Sequence, residues 1–249
     1  MKEPPGASLA TNDMRYYARL NPAKLDEAFL NREEVMRLSN VGAQLGFGLS
    51  VLHDRGLVRD PNALHAAGAT PLLTWPFLDF LDSLDLSEQT LLELGAGNST
   101  LWFQQRFARV RSFETNPEWY RALSQAVDAN VELQLIEPET LETAGIDYQD
   151  ETFVLVDFAG KRTRFLQHFL AQHRPSAIVL DNADWYRNGA ALLSRAGYLE
   201  LPFHGFKSGQ SFVSCTSLFI EPARFAPTVK QPFYRPAFSR RFTNPWDQP

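Results

Sequence analysis

The chain has 249 residues, a net charge of −5, and a composition that is 44% hydrophobic and 21% charged. That mild acidity argues against a nucleic-acid-binding protein, which usually carries a basic surface. The one cysteine, Cys215, excludes an internal disulfide and fits a reducing compartment. Residues 1–13 lack the apolar centre of a signal peptide, and no segment approaches the ~18 consecutive apolar residues of a membrane span. We therefore expect a soluble cytoplasmic protein.

The first 70 residues predict a loose arm followed by a helical extension. Residues 1–12 are polar and contain proline and glycine. Apolar residues then recur every three or four positions from Val35 to Leu52, which predicts a helix over about 32–55. A second amphipathic helix is predicted over about 72–84, near the start of a core domain that we assign to residues 71–220. We expect the extension to act as a cap or as a dimer surface.

From residue 90 onward, short apolar runs alternate with helical patterns, as is typical of a mostly parallel α/β sheet. Only a short loop separates the last two predicted strands, so we expect an antiparallel hairpin there. The predicted fold is a doubly wound, seven-stranded, mostly parallel α/β sheet with an antiparallel last strand. The predicted strands lie at about 90–94, 109–114, 131–136, 152–157, 176–181, 198–203 and 212–220. The predicted helices between them lie at about 98–107, 117–128, 139–145, 162–173 and 184–196.

Residues 221–249 predict a C-terminal tail that lacks the periodicity of regular structure. The tail contains six prolines and interleaves aromatic with arginine side chains. So many aromatic residues indicate that it is tied to the domain surface or to a partner. A homodimer formed through the N-terminal helices or through this tail is therefore one hypothesis.

The most informative stretch joins the first two strands of the predicted sheet. The strand at 90–94 runs into Gly95-Ala96-Gly97 and a helix, and the next strand ends in Glu114. Glycines let the backbone approach a ligand closely, and an acid in that position can accept hydrogen bonds from ribose hydroxyls. The spacing of 19 residues from Gly95 to Glu114 suits either NAD or S-adenosylmethionine. Thr100 stands where the NAD fingerprint has its third glycine, which favours the second cofactor.

These motifs resemble those of the class I S-adenosylmethionine-dependent methyltransferases. The resemblance lies in E-L-G-A-G-N-S-T at 93–100 and F-E-T-N-P-E-W-Y at 113–120, and it covers roughly residues 70–220. The reversed last strand is similar to that family's sheet. A narrower resemblance, to a bacterial group of small-molecule methyltransferases, is carried by V-L-V-D at 154–157, V-L-D-N at 179–182 and T-S-L-F at 216–219.

The resemblance implies how S-adenosylmethionine would be bound. Gly95 and Gly97 would let the loop pass beneath the methionine part of the cofactor. Glu93 would lie near the ammonium group, directly or through water, and Glu114 would hold the ribose. Thr115 and Asn116 would lie beside the adenine, and Glu137 would contact its amino group. The remaining residues of the expected cofactor site are Ala96, Asn98, Ser99 and Asp157.

Three further residues at predicted strand ends offer oxygen ligands. Asp157 ends the fourth strand, and Asp181 and Asn182 end the fifth, so they should meet at the ligand edge of a parallel sheet. Hard oxygens of this kind suit Mg²⁺. The set is similar to the ligand trio of the catechol-type metal-dependent O-methyltransferases, in which a nearby lysine is the base; Lys161 would take that role here. The alternative is that Asp157 and Asp181 are carboxylates of the pocket wall without a metal, with Asp157 as the base.

Other residues and motifs narrow the function. His204 follows the sixth strand and is either a general base or a histidine on a surface loop. The Asn/Asp-Pro-Pro-aromatic motif of enzymes that methylate base amino groups is replaced by Asp157-Phe158-Ala159-Gly160. The sequence therefore predicts methyl transfer to a small molecule, at oxygen, with Mg²⁺ as an optional assistant and without nucleic acid or membrane as partner. The alternatives are an NAD-dependent oxidoreductase and a non-catalytic adenosyl-binding or assembly module.

Overall fold

The structure is a computed structural model, and it describes residue 64, residues 69–208 and residues 213–230. The helix predicted over 32–55, most of the N-terminal extension and residues 231–249 of the tail lie outside the described residues. None of the described helices combines the length and the apolar character that crossing a bilayer requires. The division of the chain into three regions stays a prediction.

The described chain enters the domain through helix α1 (Trp75–Asp82). Pro76 lies in the first turn of this helix, where its missing N–H leaves no hydrogen bond unmade. The apolar face buries Phe77, Leu78 and Leu81 beneath the sheet. Strand β1 (Leu84–Asp85) follows and pairs antiparallel with β9 (Thr228–Val229). The sequence did not predict this ribbon, because two-residue strands have no periodicity to detect.

The remaining elements follow the predicted alternation of strand and helix. The strands are β2 (Thr90–Leu94), β3 (Arg109–Glu114), β4 (Val131–Leu135), β5 (Phe153–Val156), β6 (Ala177–Asp181), β7 (Leu199–Gly205) and β8 (Ser214–Ile220). The helices are α2 (Asn98–Phe103), α3 (Pro117–Leu123), α4 (Pro138–Glu142), α5 (Arg162–Leu170) and α6 (Arg187–Arg195). Strand positions agree with the prediction to within two residues, whereas α2 and α3 end four and five residues before the predicted ends.

The large sheet has the strand order β4-β3-β2-β5-β6-β8-β7. Strands β2 to β6 are parallel to one another, and β8 runs antiparallel between β6 and β7. The predicted fold class, including the reversed last strand, is therefore confirmed. The chain moves outward in one direction from β2 to β4 and in the other from β5 onward. The point of reversal lies between the carboxyl ends of β2 and β5, which is where open α/β sheets form a crevice for ligands.

Two hydrophobic clusters cover the two faces of this sheet. One cluster includes Phe165 and Phe169 of α5, which stack with ring centroids 5.1 Å apart. The other includes the buried face of α1 and receives Phe225 of the tail, whose ring lies 5.9 Å from that of Phe153. Because both faces are covered, the central strand β5 is apolar and buried throughout. Phe225 is thus packed on the domain, whereas the other aromatic residues of the tail lie outside the described residues. The attachment of the whole tail stays a prediction.

Candidate active site

The turn after β2 forms a glycine loop, residues 95–97, that needs glycine at its first position. Gly95 has a φ of +97°, and a Cβ added there would lie 2.7 Å from the carbonyl oxygen of Asp157. This close approach follows from the parallel pairing of β2 with β5, which brings the two strand ends together. Gly97 has an extended backbone, and a Cβ there would stand 3.4 Å from Nε1 of Trp119. The loop is therefore fixed by the backbone of β5 on one side and by an indole ring on the other.

Helix α3 holds that indole ring against the glycine loop. Asn116 caps the helix by accepting hydrogen bonds from the backbone N–H groups of Glu118 and Trp119 at 2.8 and 3.1 Å. The indole Nε1 of Trp119 then donates to the carbonyl oxygen of Ala96 at 2.8 Å. The cap and the indole hydrogen bond tie the segment after β3 to the loop after β2.

Glu114 ends β3 beside this loop. Its side chain is largely buried, and its Oε1 accepts hydrogen bonds from the backbone N–H groups of Thr115 and Asn116 at 2.8 and 2.7 Å. Oε2 receives no hydrogen bond from the described part of the chain. The carboxylate is thus oriented by its own backbone, with one oxygen left for a ligand.

These elements enclose a cavity of about 780 Å³ at the carboxyl ends of β2, β3 and β5. Nine residues of the expected cofactor site line it: Gly95, Ala96, Gly97, Asn98, Ser99, Glu114, Thr115, Asn116 and Asp157. Six lining residues were not predicted: Leu72, Pro117, Glu118, Trp119, Phe158 and Ala159. Trp119 could have been found from the sequence, because it lies five residues after Glu114 in a helix capped by Asn116.

Glu93 lies behind the glycine loop and is not among the described residues that line the cavity. It is fully buried and accepts hydrogen bonds from Ser99 Oγ at 2.5 Å, Thr100 Oγ1 at 2.6 Å and Ser112 Oγ at 2.6 Å. Burial raises the pKa of Glu93 to about 7, while the three hydroxyl groups oppose the rise and the neighbouring Glu114 adds to it. Among the described residues, Ser99 connects Glu93 to the cavity wall, since it donates to Glu93 and lines the cavity. The expected place of Glu93 near the ammonium group of the cofactor, directly or through water, stays a prediction.

Glu137 also lies away from the cavity. Pro138 begins helix α4 directly after β4, so Glu137 becomes the residue that precedes the helix and its side chain is exposed. Glu137 is therefore not among the described residues that line the cavity, whereas Thr115 and Asn116 are. The expected contacts of these residues with the adenine stay predictions.

Two of the three candidate bases lie outside the cavity wall. The Lys161 side chain is 69% exposed and pairs with Glu142 at 3.3 Å. His204 belongs to β7 itself, is exposed, and has Nε2 at 3.9 Å from Sγ of Cys215. Asp157 remains, and it lines the cavity next to the glycine loop.

Asp157 forms an ion pair that the sequence did not predict. Its Oδ1 accepts a hydrogen bond from Nη2 of Arg162 at 2.9 Å, and that guanidinium also donates to the carbonyl oxygens of Phe158 and Asp181 at 2.8 and 2.7 Å. Withdrawal from water and the nearby Asp181 carboxylate raise the pKa of Asp157, whereas Arg162 opposes that rise. Tyr186 packs its ring 4.7 Å from the guanidinium carbon. Arg162 is therefore held rigidly between the ends of β5 and β6.

Asp181 and Asn182 contact a buried lysine. Asp181 pairs through Oδ2 with the ammonium group of Lys207, and its Oδ1 accepts a hydrogen bond from Thr216 Oγ1 at 2.6 Å. In the orientation that satisfies both ends of its amide, Asn182 donates to Asp181 Oδ2 at 2.8 Å and accepts from Lys207 at 3.1 Å and from Ser214 at 3.0 Å. Lys207 follows β7 and is only 3% exposed. The sequence offered no local signal for this contact.

The expected Mg²⁺ ligands therefore do not fit a divalent ion. Asp157, Asp181 and Asn182 do meet at the carboxyl ends of β5 and β6, but their oxygen atoms already accept hydrogen bonds from Arg162 and Lys207. Within the described residues, no group of three His, Cys, Asp or Glu side chains is arranged to hold a metal ion. We derive no catalytic step from a metal here.

Comparison with known proteins gives matches among solved structures. No family model matches the chain, and no curated protein matches it. A precorrin-6y C5,15-methyltransferase from Geobacter metallireducens is 19% identical, with 66% of this chain and 96% of that chain covered and a TM-score of 0.47. Fibrillarin from Aeropyrum pernix, with natively bound S-adenosyl-L-methionine, is 13% identical, with 58% and 72% covered and a TM-score of 0.46. A dimethyladenosine transferase from Plasmodium falciparum is 15% identical, with 62% and 65% covered and a TM-score of 0.43.

At these levels of identity and TM-score, the strand order of the sheet itself defines the fold. Strands β2 to β6 are parallel, the order reverses beside β2, and the antiparallel β8 lies between β6 and β7. The glycine loop and Glu114 lie at the point of reversal. The chain therefore has a Rossmann-like, doubly wound α/β fold with a reversed last strand, which is the sheet that its sequence motifs predict.

Proposed function

We propose that the protein transfers a methyl group from S-adenosylmethionine to a hydroxyl oxygen of a small molecule. One observation carries the proposal: the glycine loop and the Glu114 carboxylate face the same cavity, at the point where the strand order reverses. A volume of about 780 Å³ suits a nucleoside-sized ligand, because small-molecule sites typically span some 300–1,000 Å³.

The cavity wall offers a partner for each part of the proposed cofactor. The glycine loop supplies backbone that a ligand can approach closely, which suits the methionine part. Oε2 of Glu114, which receives no hydrogen bond from the described residues, can accept hydrogen bonds from ribose hydroxyls. Trp119 and the Thr115-Asn116 segment lie beyond Glu114 and suit the adenine ring. Negative side chains around the cavity also favour the sulfonium cation.

The reaction needs alignment and removal of one proton. The acceptor oxygen attacks the methyl carbon, the carbon–sulfur bond breaks, and the electron pair of that bond stays on sulfur as S-adenosylhomocysteine forms. Asp157 is the proposed acceptor of the hydroxyl proton, because of the three predicted bases, Asp157, Lys161 and His204, it is the one that lines the cavity. Arg162 would hold its carboxylate in place.

Calorimetric titration of the full chain with S-adenosylmethionine and with S-adenosylhomocysteine tests the proposal. We expect Glu114→Ala to weaken binding by about 10- to 100-fold, the effect of losing hydrogen bonds to a charged group. Glu88→Ala, which removes an exposed acid outside the cavity wall, is the matched control and should bind like the wild type. Binding of NADH, without binding of either adenosyl ligand, would overturn the proposal in favour of an oxidoreductase.

The mild net acidity of the chain supports a small-molecule acceptor over a nucleic acid. Screening hydroxylated compounds for methyl transfer from a labelled donor, beside structured RNA and DNA as competing acceptors, tests this part separately. Methylation of the nucleic acids alone would refute it.

A further inference from the structure

Lys207 is a buried cation at the ligand edge of the sheet. Its side chain is 2% exposed, and its backbone forms an isolated bridge with Thr74 at the start of α1. Lysine is almost never fully buried unless its ammonium group is paired, because an unpaired charge away from water is strongly disfavoured. The partners of this ammonium group therefore indicate its role.

Those partners are two of the three residues expected to bind a metal. The ammonium group of Lys207 pairs with Oδ2 of Asp181 and donates to the side-chain oxygen of Asn182 at 3.1 Å. The other carboxylate oxygen of Asp181 accepts the hydroxyl hydrogen bond of Thr216 at 2.6 Å. The ammonium group thus occupies the space between the oxygens that would otherwise point toward a metal.

The third expected ligand is neutralised in the same way. Asp157 pairs with Arg162 at 2.9 Å, so the cluster contains two carboxylates and two cations, each in direct contact with an opposite charge. A divalent ion entering this cluster would find no uncompensated negative charge and would lie beside two fixed positive groups. Elementary electrostatics disfavours such binding.

We propose that the Lys207 ammonium group is a built-in cation that takes the place of a divalent metal ion at this edge of the sheet. Lys207 is a positioning residue, since it acts through Asp181 and Asn182 and is not among the described residues of the cavity wall. It fixes the end of β6 beside the end of β5, where Asp157 reaches the cavity.

This arrangement narrows the chemical class of the methyl acceptor, an inference that rests on the proposed methyl transfer. A metal with open positions binds two adjacent substrate oxygens at once and so selects chelating acceptors. A buried ammonium group has no such open positions. The acceptor class is therefore a molecule that presents one hydroxyl group to Asp157, without a requirement for a second, adjacent oxygen.

Titration with Mn²⁺, followed by electron paramagnetic resonance without any methyl donor, tests the built-in cation. We expect the wild type to bind no Mn²⁺ at this edge. Lys207→Ala removes the ammonium group and leaves the oxygens of Asp157, Asp181 and Asn182, so it should gain one Mn²⁺ site at least about 10-fold tighter than any residual Mn²⁺ binding by the wild type elsewhere. Lys207→Met fills the same space without charge and should not gain the site. Adding Asp181→Asn to Lys207→Ala should abolish it.

Two results would overturn the proposal. One is a wild-type Mn²⁺ site that disappears in Asp181→Asn, and this comparison holds even if the Lys207 variants do not fold. The other is a folded Lys207→Ala variant, verified by circular dichroism, that gains no Mn²⁺ binding. Because no adenosyl ligand is present, neither result depends on whether the chain binds S-adenosylmethionine.

Discussion

Glu93 should make the stability of the protein fall as the pH rises through neutrality. The carboxyl group is fully buried, and burial raises its pKa from 4.5 to about 7 in spite of three hydroxyl donors. Between these two pH values the folded protein holds a proton that the unfolded chain releases. The stabilisation that the folded state gains from holding this proton is therefore fully present below pH 4.5. It is lost as the pH rises toward about 7.

The interval between the two pKa values corresponds to roughly 3 kcal/mol, since each pKa unit is worth about 1.4 kcal/mol. Glu93→Gln keeps the shape of the side chain and removes its titration. We therefore expect the free energy of unfolding of the wild type, measured relative to Glu93→Gln, to fall by about 3 kcal/mol from pH 4.5 to pH 8. Urea denaturation followed by tryptophan fluorescence at several pH values measures this difference, because the other titrating groups cancel.

Glu132→Gln is the control with the opposite sign. Hydrogen bonding to Arg109 is the main cause that lowers the pKa of Glu132, so its contribution to stability is lost as the pH falls. The difference curve for Glu132→Gln should therefore be flat between pH 5 and pH 8, where the curve for Glu93→Gln falls, and should slope in the opposite direction only near and below pH 4.5. Parallel stability curves for the wild type and Glu93→Gln between pH 5 and pH 8 would refute the reasoning, because they would show that the buried carboxyl group does not change its protonation there.

Two further predictions concern stability around the site. Gly95→Ala should lower the free energy of unfolding by at least about 1–3 kcal/mol, because it places a Cβ at a φ of +97° and 2.7 Å from a backbone oxygen. Gly97 has an extended backbone, so Gly97→Ala should lower the free energy of unfolding by less in the same urea titration. Equal effects of the two substitutions would contradict the geometry. Glu151→Gln should lower the free energy of unfolding by about 3–5 kcal/mol, because it leaves the Arg111 guanidinium, 2.5 Å away and 3% exposed, without its buried charged partner. Glu132, the partner of Arg109, is 40% exposed, so at pH 7 Glu132→Gln should lower the free energy of unfolding by less than about 1 kcal/mol.

The sheet was predictable because its strands are short apolar runs with clear ends. Strand β2 was predicted at its observed bounds, and Gly95 directly after it marks the turn. Helix ends were less predictable, since helical periodicity continues past the last hydrogen-bonded turn; α3 ends at Leu123, and the chain to residue 128 was wrongly included. The β1–β9 ribbon depends on contact between segments far apart in the sequence, which no local pattern reports.

The cavity wall formed by the glycine loop and Glu114 was predictable for a similar reason. The glycine loop and Glu114 lie within one strand-turn-helix-strand unit, so their spacing in the sequence fixes their spacing in the structure. The ion pair of Asp157 was not predictable in this way. Lys161 precedes α5 with a non-helical backbone, and Arg162 is the first residue of that helix, so the two neighbouring side chains point in different directions. Arg162 therefore points inward to Asp157 while Lys161 points to solvent, and only the packing of α5 on the sheet decides which one faces in.

The four acids at the ligand edge differ in what surrounds them, and that difference separates their functions. Glu93 is surrounded by hydroxyl groups and Asp181 by an ammonium and a hydroxyl group, so both are held inside the protein. Glu114 is oriented by its own backbone and Asp157 by a guanidinium group, so both keep contact with the cavity. A carboxylate at the end of a parallel strand is therefore a candidate for ligand binding only when its protein partners leave part of it facing the cavity. By that criterion, we propose Glu114 as the acid that contacts a cofactor and Asp157 as the acid that faces an acceptor.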